Sequence, residues 1–373
     1  MASARTLEQT TERQKALWME QLKEQLKEQL KETIAHFNSD FDQEGGPAAL
    51  KNFKLLAAEP EIKEAAAGAR ASELGLVKDP SSEAARSELR ALVARLEEAM
   101  SAKIKERAAS LKDAKTGAKM LQDYHSALVY CCDNYSRVYK LAHEITQSGE
   151  EPGITRYSTA VGVLGELTKG MRAPPPQRDQ AAEPTTLLAD AALAKPAFDE
   201  VARRVAAASG ATLHLPVPFV VDKHGREATG LKSIVRIVQK AQLRPGANRG
   251  RTDRVCDVVR GILVAPDMAT IAAVAEALAT LQREGVIEVL RIKDRFSHPN
   301  PSGWHDLLVN IIVLDGGSGS AVRHVCELSV CFSCHRTTHS KQATRSKQPT
   351  HSKQATHFFG CLLRALLGRC ATR

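Results

Sequence analysis

Apolar positions along the chain change their period once, from helical in the first half to a mixture of helix and strand in the second. Within residues 5–38, Leu22, Leu26, Leu30 and Ile34 recur every four residues in the repeat EQLKEQLKEQLKE. Each lies ~40° further round a 3.6-residue helix, so together they form one slanting apolar stripe. A period of four departs from the 3.5 of a sustained coiled coil and points to a helix packed on its neighbours. Gly45-Gly46-Pro47 ends this segment. Further helical patterns follow at about 47–58, 60–74, 82–111, 116–147 and 154–171. With connections of a few residues between them, they predict an all-α bundle over residues 1–171.

Ala173-Pro174-Pro175-Pro176 and the polar residues after it read as a stiff linker over 172–186. Beyond it the spacing predicts a helix over 185–209, an extended run LHLPVPFVV, and a helix over 228–243. Lys232, Arg236 and Lys240 are four apart on that last helix, so their cations are expected on one face. A strand RVCDVVRGILVA and a helix MATIAAVAEALATLQREG come next. From Val286 to Val330 three apolar runs, VIEVLRI, LLVNIIVL and RHVCELSV, read as consecutive strands. The loop between the first two crowds Lys293, Asp294, Arg295, His298, Trp304, His305 and Asp306, a candidate binding surface between buried strands. The fold class expected is α+β. After Val330 the hexads beginning at Ser340, Ser346 and Ser352 carry no apolar period, and residues 331–373 are expected to be a disordered, low-complexity tail.

Charge alters the picture in one respect. The formal net charge of +9 points to nucleic acid or an anionic membrane as partner when the chain is taken whole. Eight of the Lys and Arg residues, with no Asp or Glu, lie in 331–373, which leaves 44 basic against 43 acidic residues in 1–330. The basic pI belongs to the tail, and nucleic-acid binding is disfavoured. The first residues, MASARTLEQTTERQK, contain no apolar signal core, and no run approaches the ~18 apolar residues of a membrane span. We therefore expect a cytoplasmic protein whose eight cysteines are free thiols. Cys131 and Cys132, adjacent on a helix, point in different directions and cannot clasp one metal. Cys331-x-x-Cys334-His335 has the spacing of haem attachment, which requires export, and would need His339 or Cys361 to complete a zinc site.

Four motifs occur in order in the second half: Lys232-Ser233-Ile234-x-Arg236, Asp257-Val258-Val259-Arg260-Gly261, the stretch from Arg291 to Leu307 reading RIKDRF then P-x-x-S-G-W-x-D-L, and Cys326-Glu327-Leu328. In that order they resemble the RelA/SpoT-like nucleotidyltransferase domain in a divergent form, over about residues 187–330. The resemblance implies a mixed sheet flanked by helices. It also implies transfer of pyrophosphate from ATP to GDP or GTP, the chemistry of guanosine tetraphosphate metabolism. Mg2+ or Mn2+ would be held by Asp257 and Glu327 as catalytic metal ligands, since two carboxylates can hold one hard cation that neutralises the transferring phosphates. Lys232, Arg236, Lys240, Lys293 and Arg295 would contact phosphates, and Trp304 would stack on the base.

The departures bear on activity. Asn300 stands where the family carries a lysine, Leu308 where it has a histidine, Ser329 where it has a glutamine, and Ile262 where it has an arginine. Phosphoryl transfer depends on fixed cations around developing charge, so these losses imply weak or lost activity on a retained fold. The alternative from a different class is a non-catalytic scaffold that meets a protein partner through its helical N-terminal half.

Overall fold

A computed structural model of the chain describes residues 59–110, 151–168, 175–177, 183–219, 227–243, 249–299, 304–314 and 322–332, with isolated positions 21, 136, 137, 140 and 144. The long N-terminal pattern, the helix expected over 116–147 and nearly all of the tail lie outside these residues. The described part is a mixed α+β structure of six α-helices and a five-stranded sheet. Among the described residues no helix is long and apolar enough to cross a membrane.

Two helices form an antiparallel hairpin at the start. Helix α1 (Pro60–Lys78) has proline at its first turn, where the missing N–H is no loss. Helix α2 (Glu83–Ser110) begins after Ser82, whose Oγ accepts from Ala85 N at 3.2 Å. Their apolar stripes, Ile62, Ala66, Ala69 and Leu76 on one and Leu89, Val93, Leu96 and Met100 on the other, are buried. Helix α3 (Glu151–Glu166) buries Tyr157, Ala160 and Leu164. Helix α4 (Pro184–Ser209) runs through Pro196 without ending and closes on Gly210, whose φ of +74° suits a residue with no Cβ.

The sheet has the order β1-β2-β5-β4-β3. Strand β1 (Thr212–His214) pairs antiparallel with β2 (Arg260–Ala265), and β2 pairs parallel with β5 (Cys326–Phe332). Strand β4 (Leu307–Val313) lies antiparallel to both β5 and β3 (Ile287–Asp294). Helix α5 (Ile234–Gln242) precedes β2, and helix α6 (Met268–Arg283), capped by the Asp267 side chain on Thr270 N at 2.7 Å, carries the chain from β2 to β3. Because β2 and β5 are parallel neighbours, both begin at the same edge of the sheet.

Helices α4 and α6 cover one face, α3 packs on α6, and the α1–α2 hairpin packs on α4 and α5. Alternate strand residues Leu263, Val309, Ile311, Leu328 and Val330 join Phe198 of α4 and Ile62 of α1 in one continuous apolar cluster. The helices before the proline-rich stretch thus share a core with the sheet after it. Gly261 allows the close approach of α4: a Cβ there would lie 3.0 Å from Leu215 Cδ2 and 3.4 Å from Phe198 Cε1. Overpacking of that kind costs ~1–3 kcal/mol.

Three sequence expectations shift. Helix α5 starts at Ile234 rather than near 228, because Gly230 at φ +71° and the residues around it form a loop, so Lys232 is not on the helix. The strand expected over 254–265 is regular only from Arg260, after a short 3-10 turn at Thr252–Arg254. Strand β5 extends past Val330 through Cys331 and Phe332, both buried.

Candidate anion-binding site

The edge where β2 and β5 begin gathers the charged residues. Asp257, three residues before β2, is 6% exposed. Lys232 approaches its Oδ2 at 2.9 Å from the loop before α5, and Lys240, from the last turn of α5, approaches Oδ1 at 2.6 Å. The loop is set by Gly230, where a Cβ would lie 2.9 Å from Pro218 N, and by the Lys232 N–H donating to Val258 O at 3.0 Å. Lys232 is as buried as Asp257, whereas the Lys240 side chain is 24% exposed.

Electrostatics follow from that burial. Desolvation alone would push the Asp257 pKa up, but the charges and hydrogen bonds of Lys240 and Lys232 outweigh it and hold the carboxyl well below the ordinary range. Desolvation pulls the Lys232 pKa down, opposed by Asp257 and aided by the like charges of Lys240 and Arg260. Arg260 opens β2 and pairs in register with Glu327 of β5, which is half-buried and whose N–H donates to Val259 O at 3.0 Å. Lys232, Lys240 and Arg260 against Asp257 and Glu327 leave the cluster with one surplus positive charge.

Two residues outside the sequence motifs hold this arrangement. Glu73 of α1 reaches across to α5, where its Oε2 accepts from Ile234 N at 2.6 Å. Ser233, at the cap position, makes no side-chain cap of its own. Burial raises the Glu73 pKa to about 7, against the lowering effects of the Ile234 hydrogen bond and of Arg70. Gln177, in the proline-rich stretch, is 2% exposed. Its backbone N–H donates to Asp253 O at 2.8 Å and its amide to Val255 O and Val325 O at 3.1 and 3.0 Å. Its Oε1 accepts from Val325 N at 2.7 Å. The side chain therefore ties the approach to Asp257 to the approach to Glu327. Glu73 had a signal in the sequence, since it falls on the helical stripe of Ile62, Ala66, Ala69 and Leu76, where a carboxylate is unexpected. Gln177 had none.

The remaining predicted residues sit elsewhere. Arg236, on α5, donates to Gln239 Oε1 at 2.9 Å. Lys293 and Asp294 end β3 opposite Leu308 and Leu307, two and three strand positions, or ~7 and ~10 Å, from the row of Asn310 and Glu327. Arg295 is in a two-pronged ion pair with the carboxylate of Asp306, its Nη2 at 2.7 Å, and Asp306 also accepts from Ser329 Oγ at 3.1 Å. Asp294 Oδ1 takes the Tyr157 hydroxyl at 2.6 Å and the N–H groups of Phe296 and Ser297, closing the turn after β3. Trp304 is half-buried just before β4, beyond this end of the sheet. Asn300 lies outside the described residues, Leu308 is buried, and Ile262 is 43% exposed.

The divalent cation implied by the resemblance can be tested against these donors. Each oxygen of Asp257 already accepts from an ammonium group, so a cation bound there would lie beside like charge. Among the described residues no group of three or more His, Cys, Asp or Glu side chains could hold a metal. In this arrangement the donor set does not fit a metal held on Asp257. No protein-family model matches the chain, and no curated protein matches it.

Proposed function

We propose that the edge of the sheet formed by Lys232, Lys240, Asp257 and Arg260 binds the phosphate chain of a nucleoside polyphosphate, with ATP, GDP and GTP as the candidate ligands. The observation that carries this is the convergence of two lysines on one buried aspartate beside a third cation. A buried carboxylate is neutralised by one cation. A second and a third, with Glu327 offsetting one of them, leave one positive charge that an anion can use, and phosphate oxygens are strong acceptors for it.

The RelA/SpoT-like motifs are the reason to name a nucleoside polyphosphate rather than a simpler anion. Pyrophosphate transfer from ATP to GDP or GTP, the reaction that resemblance implies, is proposed as weak or lost. Ile262, Leu308 and Ser329 put an aliphatic chain, another aliphatic chain and a hydroxyl at positions where that chemistry uses charged or polar groups, and Arg295 is engaged with Asp306.

Calorimetric titration of the full chain with ATP, GDP and GTP tests binding, and thin-layer separation of labelled products tests transfer. Saturable heat with any of the three nucleotides and little or no product is the expected outcome. Absence of heat with all three, from protein that melts cooperatively, would remove the proposal.

A further inference from the structure

We propose that this site takes its polyphosphate without a divalent cation, the ammonium groups of Lys232 and Lys240 supplying the positive charge that a metal would bring. The inference rests on the nucleotide-binding proposal and goes beyond it, because the commonest way to bind a nucleoside triphosphate uses Mg2+ bridging its phosphates.

Three observations lead there. Asp257 is one of two carboxylates at this edge, with Glu327, and its two oxygens are separately engaged, by Lys232 at 2.9 Å and Lys240 at 2.6 Å. A metal arriving at Asp257 would lie within a few ångströms of both ammonium groups, like charge beside like charge. Repulsion at that separation is strong near a protein surface, and a divalent ion doubles it relative to a single charge. Secondly, the site is already overcompensated. Lys232, Lys240 and Arg260 face Asp257 and Glu327, so an added cation moves the cluster further from neutrality while a phosphate chain moves it towards neutrality. Thirdly, the two lysines differ in freedom. Lys232 is 6% exposed and fixed by its own backbone bond to Val258, while Lys240 is 24% exposed at the end of a four-carbon stem. Lys240 can turn part of the way from Asp257 to a phosphate oxygen and leave Asp257 paired with Lys232. An ammonium suits this, being a compact point charge with rotatable donors rather than a planar fork.

The N-terminus of α5 is not the anion site in this scheme. Its first free N–H, that of Ile234, is already taken by the Glu73 carboxylate.

The test is a calorimetric titration of the full chain with ATP, GDP and GTP, once in EDTA and once in excess Mg2+. Binding in EDTA is expected to be tighter than in Mg2+ by about threefold or more, because Mg2+ neutralises part of the nucleotide's charge. The variant Lys240→Gln should lose about tenfold in affinity in EDTA, with a thermal transition close to that of the wild type. Binding in Mg2+ that disappears in EDTA would overturn the inference and leave the nucleotide site standing. Wild-type affinity in Lys240→Gln would overturn it as well, since Lys240 could not then be standing in for a metal. No binding in either buffer would overturn the nucleotide site itself and the inference with it.

Discussion

Asp257 and Asp306 are both buried carboxylates just before strands of one sheet, and the protein answers them differently. Asp306, 2% exposed, meets the guanidinium of Arg295 in two parallel bonds and a hydroxyl from Ser329. One planar fork against one carboxylate balances the charge and fills the geometry, leaving a closed pair that anchors the turn into β4. Asp257, 6% exposed, meets two ammonium groups from different elements, with Arg260 close by. The charge there is not balanced, and neither lysine is locked by a fork. The difference separates a brace from a candidate site: a carboxylate matched by one cation holds a loop, and one overmatched by several has charge left for a ligand.

The largest effect expected is on the brace. Asp306→Ala leaves Arg295, with only 13% of its side chain exposed, without its partner, and should lower the unfolding free energy by about 3–5 kcal/mol in a urea titration. A loss below about 1 kcal/mol would show that the pair is not closed and would break the comparison. Next comes Glu73, which holds the helix that carries Lys240. Its folded pKa of about 7 lies above its ordinary 4.5, so the folded protein binds the extra proton between those values. The stability contributed by Glu73 is therefore greatest below pH 4.5, is lost as pH rises through 7, and then levels off. The fall is on the order of 2–3 kcal/mol between pH 5 and 8. Glu73→Gln, which can still accept from Ile234 N, should flatten that part of the profile; an unchanged slope would show that Glu73 is not its source.

Gln177→Ala should cost roughly 2 kcal/mol, read as a lower melting temperature, because the carbonyls of Val255 and Val325 and the N–H of Val325 lose buried partners. It should also weaken nucleotide binding in the protein that remains folded, whereas a mutation of the Asp306 brace should leave affinity per folded molecule alone. The smallest effect on stability is expected from Lys240→Gln, at under about 1 kcal/mol, since Lys232 still pairs with Asp257.

Much of the secondary structure was legible in the sequence, and the reasons are local. Helical spacing placed α2, α4 and α6 to within a few residues, and three apolar runs placed β3, β4 and β5. The start of α5 was not legible, because Ile234, Val235, Ile237 and Val238 have helical spacing while the turn before them depends on a positive φ at Gly230. The four-residue spacing of Lys232, Arg236 and Lys240 therefore misled as a single stripe. Two of the three do meet, but through Asp257 and from different elements, and Arg236 turns to Gln239. Arg295 and Asp306 were both visible in the loop pattern, but their pairing depends on the register of β3 with β4. Gln177 was hidden by its surroundings: a glutamine after three prolines looks solvated, and bonds to residues 78 and 148 positions away leave no trace in composition.

The central claim, that the overmatched aspartate and not the balanced one is a phosphate site, is tested most directly by lysine-acetylation footprinting with and without nucleotide. Lys240 and Lys103 have side chains equally exposed, at 24%, and Lys103 is paired with Glu106 at 2.9 Å on α2. Saturating ATP, GDP or GTP should slow acetylation of Lys240 and leave Lys103 unchanged. Equal rates at Lys240 with and without all three nucleotides would contradict the account.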